Sequence, residues 1–231
     1  MKSALIVVDM QEDFCPPHGS LAVQGARALA PTINTLLAHP GFAVRVASQD
    51  YHPPNHISFA AIHPFPNNRP FECSIAMANP AAGREFEIKK QTLWPVHCVQ
   101  GTPGAKIIPE VDITKFDLFV HKGMDPRVEM YSAFADAFGN QDPSIVSVDA
   151  NLRAYLTDRG VTDVFVVGVA GDYCVKHTAL DAAKAGFQSH VVQDATECVV
   201  PGLGWEETLK ELALAGVLVV RSDGPEIVGL S

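Results

Sequence analysis

Short runs of apolar and β-branched residues recur along the chain, at Ala4–Val8, Ala43–Ala47, Asp117–His121, Val164–Val169, Ser189–Val192 and Val217–Val220, most of them bounded by turn residues. They are nearly continuous rather than alternating, which predicts strands buried on both faces, as in a parallel sheet. Between them lie stretches with helical spacing, roughly Ala26–Ala38, Tyr131–Phe138, Ala150–Arg159, Tyr173–Ala185 and Glu206–Ala215. Gly160, Gly186 and Gly216 follow three of these at the place of a left-handed C-cap. The alternation of strand and helix predicts an α/β fold, a three-layer α/β/α arrangement around a mostly parallel sheet of about six strands.

One stretch interrupts the rhythm. Residues 52–98 are rich in proline, carry His56, His63 and His97 beyond His52, and show little helical or strand periodicity. A long irregular excursion of this kind inside a compact domain is commonly functional. The 231 residues, 47% hydrophobic, are expected to form one domain spanning residues 1–231 with this excursion inserted. Seventeen basic against 26 acidic residues give a formal charge of −9, which argues against a phosphate-tracking surface and hence against nucleic acid. No apolar run reaches the length of a membrane span, and neither end of the chain reads as a targeting signal, so a cytoplasmic protein without a membrane partner is expected. The five cysteines form no CxxC pair and their odd number leaves at least one unbridged, which fits a reduced compartment.

In open α/β sheets, ligands bind beyond the carboxyl ends of the strands. Asp9, Asp50 with His52, and Lys122 fall at or just past the first three strand ends, and Cys174 falls on the turn after the fourth. A thiol where a strand turns into a helix feels the positive end of the helix dipole, which predicts a lowered pKa, and the same turn offers N–H groups to an oxyanion. Position alone leaves open an inert buried cysteine. Asp9 by itself reads equally as a turn carboxylate, and Lys122 as a solvated strand end. Together a carboxylate, an ammonium and a thiol can form a nucleophilic set, the lysine holding the thiolate and the carboxylate moving the proton. Asp50 and His52 form an Asp-x-His pair, and with His97 they suit a borderline divalent ion such as zinc, iron or manganese.

These segments in order resemble the nicotinamidase (pyrazinamidase) branch of the isochorismatase-like cysteine hydrolases. The matching pieces are Ala4–Phe14, Ser48–His52 with His56–Phe59, Trp94–Val99, Lys122-Gly123, Tyr131–Phe134 and Gly168–Val175, and they span most of the chain. The resemblance implies that Cys174 is the nucleophile, Asp9 the general base and then acid, and Lys122 the third member of a triad. It implies Asp50, His52 and His97 as ligands of one divalent metal, zinc first and iron or manganese as alternatives, holding the pyridine nitrogen of nicotinamide. Phe14, Trp94 and Tyr131 would wall the ring, and the N–H groups of Ala170 and Cys174 would form the oxyanion hole beside a cis Val169–Ala170 peptide. The implied reaction is hydrolysis of nicotinamide to nicotinate and ammonia through a thioester, in NAD salvage, by a protein able to form homo-oligomers.

The long spacing between His52 and His97 is similar to that of eukaryotic, fungal-type members. Gly171 stands where Thr or Ser is common, and the segment 138–147 is enlarged. Glu129 and His56 are further candidates for metal contact. Two rival readings are another amidase of the superfamily, acting on carbamoyl or ureido substrates, and a silent ligand-binding relative. The first generally lacks the metal residues, and the second has no need of an intact triad.

Overall fold

The computed structural model describes residues 2–140 and 144–230. Each of the six predicted runs is a strand of one sheet: β1 Ser3–Val8, β2 Phe42–Asp50, β5 Leu118–Lys122, β6 Asp163–Val169, β7 Gln188–Glu197 and β8 Leu218–Val220. Their spatial order is β5-β2-β1-β6-β7-β8 and every pairing is parallel. The two central strands explain the unbroken hydrophobic runs, because β1 and β6 are buried at every position. Leu5 and Val7 join one core with Ile33, Leu36 and Leu37 of α1 (Ala30–Ala38) and Ile227 of α5 (Pro225–Val228). Ala4, Ile6 and Val8 point the other way, into a core shared with α2 (Leu152–Asp158), α3 (Lys176–Lys184) and α4 (Leu203–Leu214). Helices therefore cover both faces, giving the three layers expected. Gly160, Gly186 and Gly216 all take positive φ after their helices.

Three local expectations need correction. No helix forms over 131–138. Its N–H groups are captured by polar partners: Ala133 N donates to Thr178 Oγ1, Phe134 N to Ser132 Oγ and Phe138 N to Asp136 Oδ1. Such side-chain bonds offer the backbone an alternative to the helix ladder. The stretch expected as a helix over 173–185 opens with a π-turn over Gly171–Val175 before α3 begins. The excursion over 52–98 is not wholly irregular, since β3 (Ser74–Ala78) and β4 (Ile88–Thr92) pair as an antiparallel ribbon. Only Met77 and Gln91 of that ribbon are buried, so it carries little apolar alternation to betray it. Within the enlarged segment 138–147, residues 141–143 lie outside those described.

The chain reverses its winding direction between β1 and β6. At such a switch point the loops leave in opposite directions and open a crevice at the carboxyl ends of the strands. Asp9 follows β1 there and Ala170 follows β6. Among the described residues no helix is long and apolar enough to cross a membrane.

Candidate active site

Asp9 terminates β1 with φ 52, and its carboxylate is fully buried. Its Oδ1 accepts from Ser48 Oγ at 2.9 Å, and its Oδ2 lies 2.8 Å from Lys122 Nζ, an ion pair without hydrogen-bond alignment. Lys122 arrives on β5, also fully buried, and its ammonium donates to Asp50 Oδ1, to Met130 O at 3.4 Å and to Cys174 Sγ at 3.5 Å. One cation thus touches two carboxylates and the thiol. Burial alone would push that ammonium down, but the Asp50 and Asp9 carboxylates hold it well above its usual range. Asp9 is pushed up to about 6, by burial first, with Lys122 pulling it down and Asp50 adding to the rise.

The thiol behaves differently from the helix-dipole expectation. Burial pushes Cys174 well above the ordinary thiol range, Lys122 opposes this, and Asp9 and Asp50 add to it. Burial outweighs the pull of the Lys122 cation, so Cys174 rests as a thiol. In the π-turn, Ala170 O accepts from Tyr173 N and Val175 N, both at 3.0 Å, but not from Cys174 N between them. The Val169–Ala170 peptide is cis. Gly171 is glycine for packing reasons, because a Cβ there would lie 2.7 Å from Cys198 Sγ and 2.9 Å from Thr196 Cγ2.

Beside this group sits a second one. Asp50 Oδ2 lies 3.4 Å from His52 Nε2 and 3.6 Å from His97 Nε2. His52 Nδ1 bonds Gly123 O at 2.8 Å and His97 Nδ1 bonds Pro95 O at 2.7 Å. A carbonyl can only accept, so both rings carry their proton on Nδ1 and turn a lone pair on Nε2 toward Asp50. His52 Nε2 is buried with no hydrogen-bond partner among the described residues. An orphaned imidazole nitrogen, a second imidazole and a carboxylate oxygen within 4.8 Å of one another fit a divalent metal, with backbone carbonyls fixing the rings as metal-ligating histidines require. Burial would push His52 down, but the Asp50 carboxylate 3.4 Å away raises it.

His56 and Glu129 lie against the same site and form with His52 a second buried group whose ligand atoms lie within 4.8 Å of one another. His56 Nδ1 meets Ser58 Oγ at 2.8 Å and Nε2 meets Val128 O at 3.2 Å, while Glu129 Oε1 accepts from Met130 N. His63 is spent on Ile57 O at 2.8 Å. Phe14 packs beside His97, ring centroids 5.4 Å apart, and Trp94 Nε1 donates to Tyr131 OH at 3.0 Å. Gln91, which no sequence argument singled out, donates to the same hydroxyl at 2.8 Å. Ser48 lies within the Ser48–His52 motif and has no role of its own in the sequence reading. Its seryl oxygen beside a strand-end aspartate was the available signal.

The fold and these side chains define a doubly wound α/β protein whose switch point brings a thiol, an ammonium and a carboxylate together beside a cluster of side chains able to hold a metal ion. Residues 3–223 match the isochorismatase domain, and the chain belongs to that family. It is 38% identical to a nicotinamidase of Acinetobacter baylyi over 219 residues, which is 95% of this chain and 92% of that one. A structure of the yeast nicotinamidase bound to the inhibitor nicotinaldehyde superposes with a TM-score of 0.85 at 33% identity, covering 95% of this chain and 99% of the other. A zinc complex of the pyrazinamidase of Pyrococcus horikoshii gives 0.71 at 33% identity, covering 96% and 99%.

Proposed function

We propose that this protein hydrolyses nicotinamide to nicotinate and ammonia, with Cys174 as nucleophile, Asp9 as proton carrier and Lys122 as their common counterion. The observation that carries this reading is the placement of Lys122 Nζ, 2.8 Å from Asp9 and 3.5 Å from Cys174, with all three side chains buried. The relatives described above, which are nicotinamidases and a pyrazinamidase, support the amide class.

Cys174 rests as a thiol and Asp9 is ionised at neutral pH, so the first step is transfer of the thiol proton to Asp9 as Sγ attacks the carboxamide carbon. The tetrahedral oxyanion meets the N–H groups of Ala170 and Cys174 on the turn. Its collapse expels ammonia, which leaves with the proton from Asp9, and a thioester remains on Cys174. Asp9 then deprotonates a water that attacks the thioester carbon, and collapse releases nicotinate while the proton returns to sulfur. Two covalent steps replace one slow amide hydrolysis. Phe14, Trp94 and Tyr131 are proposed to wall the pyridine ring. Asp50, His52 and His97 are proposed to hold the metal, for which zinc is the reading given. Bound there, the ion supplies a Lewis-acid anchor for the pyridine nitrogen. A place in NAD salvage follows from the product.

The test is ammonia release from nicotinamide by purified protein, with Cys174→Ala as control and metal content measured on the same sample. Turnover lost in the variant, with about one metal per chain as the three-ligand set implies, is the expected result. Full activity in Cys174→Ala would overturn the covalent route. An inactive, metal-loaded wild type would overturn nicotinamide as the substrate.

A further inference from the structure

The strand β1 stops pairing with β2 at Val8 opposite Ser48, yet β2 runs two residues further to Asp50. Asp9, at φ 52, turns the backbone of the first strand away at that point. Residues of one strand alternate in the direction their N–H and C=O groups face. Ser48 O faces β1, since it accepts from Asp9 N at 3.0 Å, and Asp50 faces the same way. The amide and carbonyl of Asp50 therefore point at a place where the neighbouring strand has left.

Gln11 fills that place with its side chain. Its Oε1 accepts from Asp50 N at 2.8 Å, and its Nε2 donates to Asp50 O at 2.8 Å and to Ala105 O at 2.9 Å. The side chain is wholly buried. A carboxamide has the planar N–H and C=O of a peptide group, so it continues the ladder for one residue as a surrogate strand. That one residue carries the carboxylate facing Lys122, His52 and His97.

We infer that Gln11 is a positioning residue for the metal centre: it fixes the backbone of Asp50, and through it the direction of the carboxylate between the two imidazoles. The inference rests on the metal reading given under the proposed function. Outer-shell partners of metal ligands typically account for about 10–100-fold in metal affinity.

The experiment measures the zinc dissociation constant of the intact protein by competition with a chromogenic chelator, with KM and kcat on the same preparations. Gln11→Met keeps the volume and deletes all three bonds, and zinc should bind about 10–100-fold more weakly. Gln11→Glu keeps the acceptor for Asp50 N and should fall between the two, and it decides the matter if the Met variant fails to fold. Gln49→Met is the control, because Gln49 Nε2 also donates to Ala105 O at 2.9 Å but makes no bond to Asp50. Its zinc affinity should match that of the wild type, and KM at saturating zinc should rise only in the Gln11 variants. Equal zinc affinity in the wild type and the folded Gln11 variants overturns the positioning role and leaves the proposed hydrolysis intact. Equal weakening in Gln49→Met would reduce Gln11 to general support of the backbone at Ala105 and overturn it too. Failure of the wild type to take up zinc overturns the metal reading and this inference with it.

Discussion

Lys122→Met is the sharpest test of how the buried charges are balanced. The substitution keeps an unbranched apolar stem and deletes the one ammonium that touches both Asp9 and Asp50, all three side chains being buried. Removing one partner of a buried ion pair costs about 3–5 kcal/mol. Here two carboxylates lose the same cation, so the loss at neutral pH lies at or above the top of that range. The variant escapes part of the cost by taking up a proton. A carboxyl whose folded pKa lies above its unfolded value holds more protons in the native chain, so unfolding free energy falls as pH rises between the two values. Wild-type Asp9 already behaves this way, its value being raised from 3.8 to about 6, so its contribution is lost across that window and is constant above it. Without Lys122 the folded value moves higher, and the loss continues above pH 6 at about 1.4 kcal/mol per pH unit for each retained proton. Urea unfolding of the metal-free protein, with a chelator present, should therefore show the gap between wild type and variant widening by about 2 kcal/mol between roughly pH 6.5 and 8. Parallel curves over that interval would mean that no proton replaces the lost cation, and the role of Lys122 as counterion to both carboxylates would fall.

Gly123→Ala should disturb His52 directly, since a Cβ there would stand 2.4 Å from His52 Cε1 and 2.6 Å from Nδ1, on a backbone at φ +69. The left-handed backbone costs about 1–2 kcal/mol for an L residue, and zinc titration should show weakened binding; wild-type affinity would mean that the ring tolerates the shift. Asp172 Oδ1 and Oδ2 accept from Val199 N and Val200 N, both at 2.9 Å, just ahead of Cys174. Asp172→Ala should cost about 3–6 kcal/mol in thermal or urea unfolding, from two hydrogen bonds to a charged acceptor at about 1.5–3 kcal/mol each, and should slow turnover. His177, stacked on Tyr131, is lowered from 6.5 to about 4 by burial first and Lys176 second. The unfolded chain then binds the extra proton, so stability falls as pH drops through that window, by up to about 3 kcal/mol, and His177→Gln should flatten the acid limb of the unfolding curve.

The chain's own pattern reached far into the fold. Runs such as Ala4–Val8 and Val164–Val169 are legible because a strand covered on both faces has no polar side to interrupt it. Asp9, Asp50 and Lys122 could be singled out because parallel strands deliver their carboxyl ends to one edge, where polar residues after apolar runs stand out. The ribbon β3–β4 was invisible for the opposite reason: it is mostly solvent-facing and its alternation is nearly absent. Tyr131–Phe138 has helical composition, but Thr178, Ser132 and Asp136 claim its N–H groups, and Thr178 is brought there by α3.

What only the tertiary structure decided was how the charges act on one another. A helix-start position predicts an acidified thiol, yet Cys174 is raised because burial and two carboxylates arrive from strands about 165 and 124 residues earlier in the chain. The same convergence leaves His52 Nε2 without a hydrogen-bond partner among the described residues and turns Gln11 from a motif letter into a substitute for the strand missing beside Asp50. Hydrophobic pattern is a property of neighbours in sequence, so it can be read one element at a time. Desolvation and Coulomb interaction depend on distances between residues that only the folded sheet brings together.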